Sequence, residues 1–304
     1  MFFAVMAFLA MPLSQTTPFL ARAQVIAGPG RTKSKLPATN LRDSIGRIVI
    51  PVTINGKGPF RFSLDTASDS SAISESLVRS LGIAVTKNGV VKLHGVTGSA
   101  LVRSTVAKSM KVGDLVMNDV RLPIVRDVFG GVQGVLGTRG WTEKRIFLDF
   151  RNDIASIATS KLEKAPVGFS RIPIKLTKES LIAMDINIGK VPVRAIFDTG
   201  SEQTIGNTKL RIALFRMDPK AEGQEIRGVT LDTVRGPNFE IPLVTMDGIQ
   251  LRNRRVTFGD VSIFQRWDLI DEPALLLGMD IIGLFDTVII DYKLGEIQLL
   301  WRNR

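Results

Sequence analysis

Two short stretches carry residues whose types and spacing could do chemistry together. Asp198-Thr199-Gly200-Ser201 closes an apolar run from Val193 to Phe197, so a strand delivers one carboxylate into a tight turn. Taken alone, that is an ordinary strand end. The same arrangement occurs at Asp65-Thr66-Ala67-Ser68, where Gly56-Lys57-Gly58-Pro59-Phe60-Arg61-Phe62-Ser63-Leu64 aligns without gaps on Gly189-Lys190-Val191-Pro192-Val193-Arg194-Ala195-Ile196-Phe197. Gly, Lys, Pro, Arg, Asp, Thr and Ser recur at a constant offset of 133 residues. Turns of independent origin have no reason to share a spacing, so the chain reads as an internal duplication. Gly95-Val96-Thr97 returns as Gly228-Val229-Thr230 at the same offset. Leu136-Gly137 returns as Leu277-Gly278, and Leu148-Asp149-Phe150 as Ile290-Asp291-Tyr292, at an offset larger by about eight or nine. The second copy therefore carries a small insertion after its Gly-Val-Thr.

Two similar halves related by an approximate two-fold axis bring equivalent positions together at that axis. If Asp65 and Asp198 each sit on the turn nearest it, their carboxylates become neighbours. Two carboxylates in one site do not both ionise cheaply, so they share one proton and titrate as a unit. One member is then able to act as general base toward a water while the other donates a proton to a carbonyl oxygen. That chemistry hydrolyses a peptide bond with no metal, thiol, histidine or cofactor. Gly200 offers backbone angles closed to other residues and an N–H close to a carboxylate. The hydroxyls of Ser68 and Ser201 are placed to reach the outer carboxyl oxygens, and Thr66 and Thr199 to lock the two turns across the axis. Ala67 stands where the second copy has Gly200, which would be costly if that turn needs a positive φ.

Composition narrows the alternatives. The chain has 304 residues, 44% of them hydrophobic, enough for two ordinary cores. It has no cysteine and one histidine, His94, which excludes thiolate metal sites, disulfides and Cys/His nucleophile pairs. A Ser-His-Asp triad would have to use His94, and no Gly-x-Ser-x-Gly elbow accompanies it. The formal net charge is +11, which predicts attraction to anionic membrane or cell-wall surfaces, with a solvated basic face as the plainer reading. The basic residues are spread out and only 7% of residues are aromatic, so a nucleic-acid footprint is missing.

The elements that must position the aspartates follow in order. Met1 to Leu13 is apolar but too short to span a bilayer, and Ala21-Arg22-Ala23 has the form of a signal-peptidase site. Residues 1–23 are read as an export signal, with an uncleaved anchor as the alternative, and residues 24–44 as a flexible leader. The first lobe is placed at 45–160, a linker at 161–170 and the second lobe at 171–304. Arg47 to Ile54 and Phe60 to Leu64 read as a hairpin leading to Asp65. Ser74 and Asn207 read as N-caps of short helices. Val90 to Leu93 and Ala100 to Val106 form β arms around a tip at His94-Gly95-Val96-Thr97, matched by Arg227-Gly228-Val229-Thr230. Each copy is mostly short strands, the pattern of a small closed β-barrel.

Ala195 to Ser201, followed by Leu276-Leu277-Gly278-Met279-Asp280 and Val288-Ile289-Ile290-Asp291-Tyr292, resembles the retropepsin-like aspartic proteases. The tandem arrangement is similar to that of exported bacterial members, over about residues 45 to 302. The resemblance implies an all-β fold of two closed barrels with pseudo-two-fold symmetry and a cleft between them, arranged as in pepsin. It also implies an aspartic endopeptidase acting on peptide or protein substrates, with Asp65 and Asp198 catalytic and Thr66, Ala67, Ser68, Thr199, Gly200 and Ser201 supporting them. Leu136-Gly137 and Leu277-Gly278 would pass behind the two turns, and the tips at His94–Thr97 and Arg227–Thr230 would be substrate-binding flaps. The pepsin flap tyrosine is absent, since Tyr292 lies on a closing strand. Three readings stay open: a monomeric enzyme, a homodimer pairing two copies of Asp198, and a weak or inactive relative that binds extended peptides or a partner protein.

Overall fold

The computed structural model describes residues 2–3, 42–44, 46–127, 131–177, 180–215, 223–230 and 232–302. Apart from Phe2–Phe3, which pair in parallel with Leu93–His94, the expected signal lies outside the described residues, as does most of the leader.

The first copy builds one closed ring. Val49–Ile54 pairs with Lys57–Leu64 across a turn whose Asn55 and Gly56 both have positive φ, 51° and 75°, the geometry that matches the right-handed twist of a hairpin. The ladder continues through Gly134–Leu136, Ala72–Ser74 and Leu115–Val125 to Ser99–Val112, which returns to Val49–Ile54 and closes a six-stranded barrel. Alternate residues Ile50, Val52 and Ile54, with Phe62 and Leu64, fill its interior. Gly134 is required by packing, because a Cβ there would lie 2.3 Å from the Phe62 ring.

The second copy repeats the strand order with Ile182–Ile188, Val191–Phe197, Ala274–Leu277, Ile205–Gly206, Arg254–Phe258 and Thr233–Ile241. It does not close, which departs from the expectation of two closed barrels. The strand matching Ser99–Val112 is cut into Thr233–Ile241 and Val244–Met246, and the strand matching Leu115–Val125 into Ile249–Leu251 and Arg254–Phe258. Pro242 stands at the break, where the first copy has Lys108, and it has no N–H to continue a ladder. The ring is therefore left as an open sheet. The two copies match at 133 to 134 residues as far as Val125 and Phe258, and at 141 by Leu136 and Leu277. The extra residues thus fall before Ala274 and carry a helix, Ser262–Arg266, that the sequence did not announce.

A five-stranded sheet draws on both copies, in the order Ile154–Thr159, Lys144–Asp149, Phe285–Asp291, Glu296–Trp301 and Ser170–Pro173. Ile146, Leu148, Val288, Ile290, Ile297 and Leu299 are buried beneath it and belong to one apolar cluster that runs into both halves. This continuity holds the two aspartate turns in register.

The helices start where their caps predict. Leu77 N–H donates to Ser74 Oγ at 3.2 Å at the head of Glu75–Leu81, and Leu210 N–H donates to Asn207 Oδ1 at 2.8 Å at the head of Thr208–Leu214. Asn207 does more than cap. It is fully buried, accepts the Ala274 N–H at 3.2 Å and donates to Leu269 O at 2.8 Å and Glu272 O at 2.7 Å, tying the helix to the strand behind the second turn. Asn207→Ala is expected to destabilise the protein by about 3 kcal/mol, because four backbone groups, three of them in buried bonds, lose a partner, against about 1 kcal/mol for Ser74→Ala, as read by urea unfolding.

Candidate active site

Both aspartates sit one residue beyond a strand that is locked from behind. The Asp65 N–H donates to Leu136 O and the Asp198 N–H to Leu277 O, each at 3.0 Å. Gly137 and Gly278 follow those carbonyls, and a Cβ on either would fall 2.5 Å from a backbone carbon, of Ser70 and of Gln203 respectively. Only glycine lets these segments pass behind the turns. The Gly137 N–H donates to Ser71 Oγ and the Gly278 N–H to Thr204 Oγ1, both at 3.1 Å, so each crossing is pinned in the same way.

The two turns meet face to face. The Thr66 N–H donates to Thr199 Oγ1 at 3.2 Å and the Thr199 N–H to Thr66 Oγ1 at 3.0 Å. The hydroxyls pass the link on, Thr66 to Phe197 O at 2.7 Å and Thr199 to Leu64 O at 2.8 Å. Four reciprocal bonds, all buried, therefore join the strand end of each half to the turn of the other. The carboxyls are treated alike as well: the Ala67 N–H donates to Asp65 Oδ1 at 3.0 Å and the Gly200 N–H to Asp198 Oδ1 at 2.7 Å.

Two expectations about the supporting residues are revised. Gly200 and Ala67 are not in positive-φ backbone, so Ala67 carries no conformational strain. Glycine at 200 answers to contact, since a Cβ there would lie 2.5 Å from Asp65 Cγ and 2.8 Å from both its oxygens. The serine hydroxyls brace the loops and do not reach the carboxyls: Ser68 Oγ donates to Ser70 O and Ser201 Oγ to Gln203 O, each at 2.8 Å.

Asp65, Asp198, both threonines, Ala67 and both serines are completely buried. Burial, and then the charge of Asp65, push the Asp198 carboxyl well above the ordinary range, against the Gly200 and Ser201 N–H groups that favour its ionised form. Asp198 Oδ2 has no hydrogen-bond partner among the described residues, and the neighbouring Asp65 carboxyl favours its protonated form.

The predicted tips cross to opposite halves. Val96, fully buried, packs with Ala67 and with Ile196, Ile263 and Phe264 of the second copy. Val229, its counterpart, packs with Val49, Ala72, Val125 and Val135 of the first. Gly95 and Gly228 allow the tips to touch, since a Cβ on them would lie 3.0 Å from Val229 Cγ1 and close to Thr97 Oγ1. Thr97 Oγ1 donates to Asp232 O at 2.8 Å, and Ser262 Oγ, on the inserted helix, donates to Val96 O at 3.1 Å. Thr230 and Arg227 flank the second tip, with Arg227 Nε donating to Thr233 Oγ1 at 3.4 Å. His94 ends the first arm and, with Ser99, Ser262 and Arg266, lines a pocket of about 140 Å³. Burial, then Arg266 and Lys92, push its imidazole down to about 4, so it is neutral at pH 7. Missed by sequence reasoning were the inserted helix that receives the first tip and the buried Arg47 beside Asp65. The register of the Asn55-Gly56 hairpin was the signal for Arg47.

Residues 50–139 match the family described as aspartyl protease. The match spans the closed barrel, with Asp65-Thr66-Ala67-Ser68 and Leu136-Gly137 inside it, and stops short of the second copy. No curated protein matches the chain.

Two outcomes follow from this geometry. Thr199→Val keeps the shape but removes a hydroxyl that serves Thr66 N and Leu64 O, so it is expected to cost about 1 to 3 kcal/mol in urea unfolding, with the Thr66→Val, Thr199→Val double variant less than additive. Asp198 keeps its proton in the folded state at a pH where the unfolded chain, titrating near about 3.9, has lost it. Its contribution to stability therefore falls as pH rises above about 4. Asp198→Asn is expected to melt at a higher temperature than the natural protein at pH 7 and at the same temperature near pH 3, by calorimetry.

Proposed function

We propose that this protein is an exported aspartic endopeptidase in which one chain supplies both members of the catalytic pair. Asp65 and Asp198 activate a water between them, one taking its proton and the other protonating the substrate carbonyl oxygen. The observation that carries this reading is the reciprocal threonine frame, which puts two buried carboxyls under equivalent control and in each other's field. The aspartyl protease match over residues 50–139 supplies the reaction class, peptide-bond hydrolysis.

The frame favours a monomer over pairing of two Asp198 copies, because both turns of the frame come from one chain. Ala67 does not stand against activity, since its N–H still donates to Asp65 Oδ1. The lobes at 45–160 and 171–304 each contribute one aspartate, and the tips at Val96 and Val229 would have to part for a peptide to reach them. Export is supported by the apolar start and Ala21-Arg22-Ala23, and the strongly positive net charge, +11 for the full chain and one less without Arg22, would hold the exported protein near anionic surfaces. A second reading, peptide or partner binding without cleavage, is favoured by one observation: the two tips touch each other and both aspartates are completely buried.

Cleavage of casein by residues 24–304, followed from pH 3 to pH 8, separates the readings. Asp65→Asn and Asp198→Asn are each expected to lower kcat at least about a hundredfold without unfolding the protein. Loss in Asp198→Asn alone would indicate the homodimer, and no cleavage by folded natural protein on several substrates would leave the binding reading.

A further inference from the structure

The two halves treat their aspartates alike through backbone, yet the side chains around the pair differ. In the first hairpin Val49 pairs with Ser63 and Ile50 with Phe62, and the Leu64 N–H donates to Ile48 O, so the residue opposite Asp65 is Arg47. In the second, Ala183 pairs with Ile196, so the residue opposite Asp198 is Leu181. Arg47 and Leu181 are both completely buried. A buried cation faces one aspartate where an isobutyl group faces the other.

Arg47 is held firmly. The turn from Asp43 to Gly46 folds back so that Asp43 Oδ1 accepts the Arg47 N–H at 2.9 Å, and Asp43 Oδ2 accepts Nε at 2.8 Å and meets Nη2 at 2.6 Å. The groups facing the guanidinium are Asp43 on its own turn, Asp65 on the neighbouring strand and Glu202 beyond the second turn. Those facing Asp65 include Asp198, Arg47 and Tyr292, whose buried phenol stays neutral. A second difference points the same way. Asp65 packs on Gly200, which has no side chain, and the residue equivalent to Gly200 on the first turn is Ala67. A cation favours the ionised form of a carboxyl, and apolar contact favours the neutral one.

We propose that Arg47 is a positioning residue of the aspartate pair, making Asp65 the ionised member and leaving the proton on Asp198. The assignment of these roles to a reaction rests on the peptidase reading above. Asp65 is then the base that takes the proton of the attacking water, and Asp198 the acid that gives its proton to the carbonyl oxygen, so the pair ends each addition with the proton moved from one carboxyl to the other.

The test reads the carboxyls directly. In protein labelled with ¹³C-aspartate, Asp65 is titrated by NMR in the Asp198→Asn background and Asp198 in the Asp65→Asn background, which removes the coupling between them. Asp65 is expected to titrate at the lower pH. Adding Arg47→Met is expected to raise the Asp65 midpoint by about one pH unit or more and to move Asp198 by a few tenths at most. The reverse order, an Asp65 midpoint unmoved by Arg47→Met, or an equal shift in both aspartates would overturn the proposal. Arg47→Met strands the Asp43 carboxyl and is useful only if its circular dichroism matches the parent; the order of the two midpoints decides the matter with Arg47 in place. Because no substrate is used, absence of cleavage by the natural protein would sink the peptidase reading and leave this result standing.

Discussion

Everything near the centre of this protein depends on four hydrogen bonds between two turns. A threonine N–H and hydroxyl from each half are spent on the other half, and none of the four groups reaches water. A buried polar group without a partner costs more than a formed bond contributes, so neither turn is satisfied alone. That constraint explains why two buried aspartates come to lie in each other's field. It also explains why one of them, Asp198, is pushed toward its neutral form by burial and by its neighbour.

Around that frame the two halves follow the same strand order and differ in closure, in an inserted helix and in side chains. Gly137 and Gly278 remain glycine because a segment must pass within van der Waals contact of the loop in front. The ladder behind the second half opens at Pro242, where no function of the frame is disturbed, since the strand carrying Asp198 is held by Ile182–Ile188 and Ala274–Leu277. The insertion before Ala274 is put to use: its helix takes the tip of the first hairpin through Ser262 and an apolar bed around Ile263 and Phe264. Equivalent valines crossing to opposite halves make a clasp, and the proposed reaction takes place beneath it.

Much of this was legible from residues alone. Repeated Asp-Thr-Xaa-Ser at a fixed offset located both turns, and Asn55-Gly56, Ser74 and Asn207 marked the first hairpin and the helix starts, because these signals are local steric and hydrogen-bonding preferences. The strand Leu115–Val125 was not legible: its polar and apolar residues have no clean alternation, and its place is set by pairing with the long strand Ser99–Val112. Nor was the role of Gly200, where a turn-former's freedom suggested itself and contact with Asp65 turned out to matter.

The sequence by itself determined that an Asp-Thr-Xaa-Ser motif occurs twice at a fixed offset, each time where an apolar run ends in a threonine-bearing turn, and that no cysteine takes part. Those are properties of residue type and spacing. Only the tertiary structure decided that the first ring closes and the second does not, that the serines face loop carbonyls, and that Arg47 lies opposite one aspartate while Leu181 lies opposite the other. Each of these depends on which groups from distant parts of the chain come within contact. Spacing along the chain carries no record of that until the hydrogen-bond register is set.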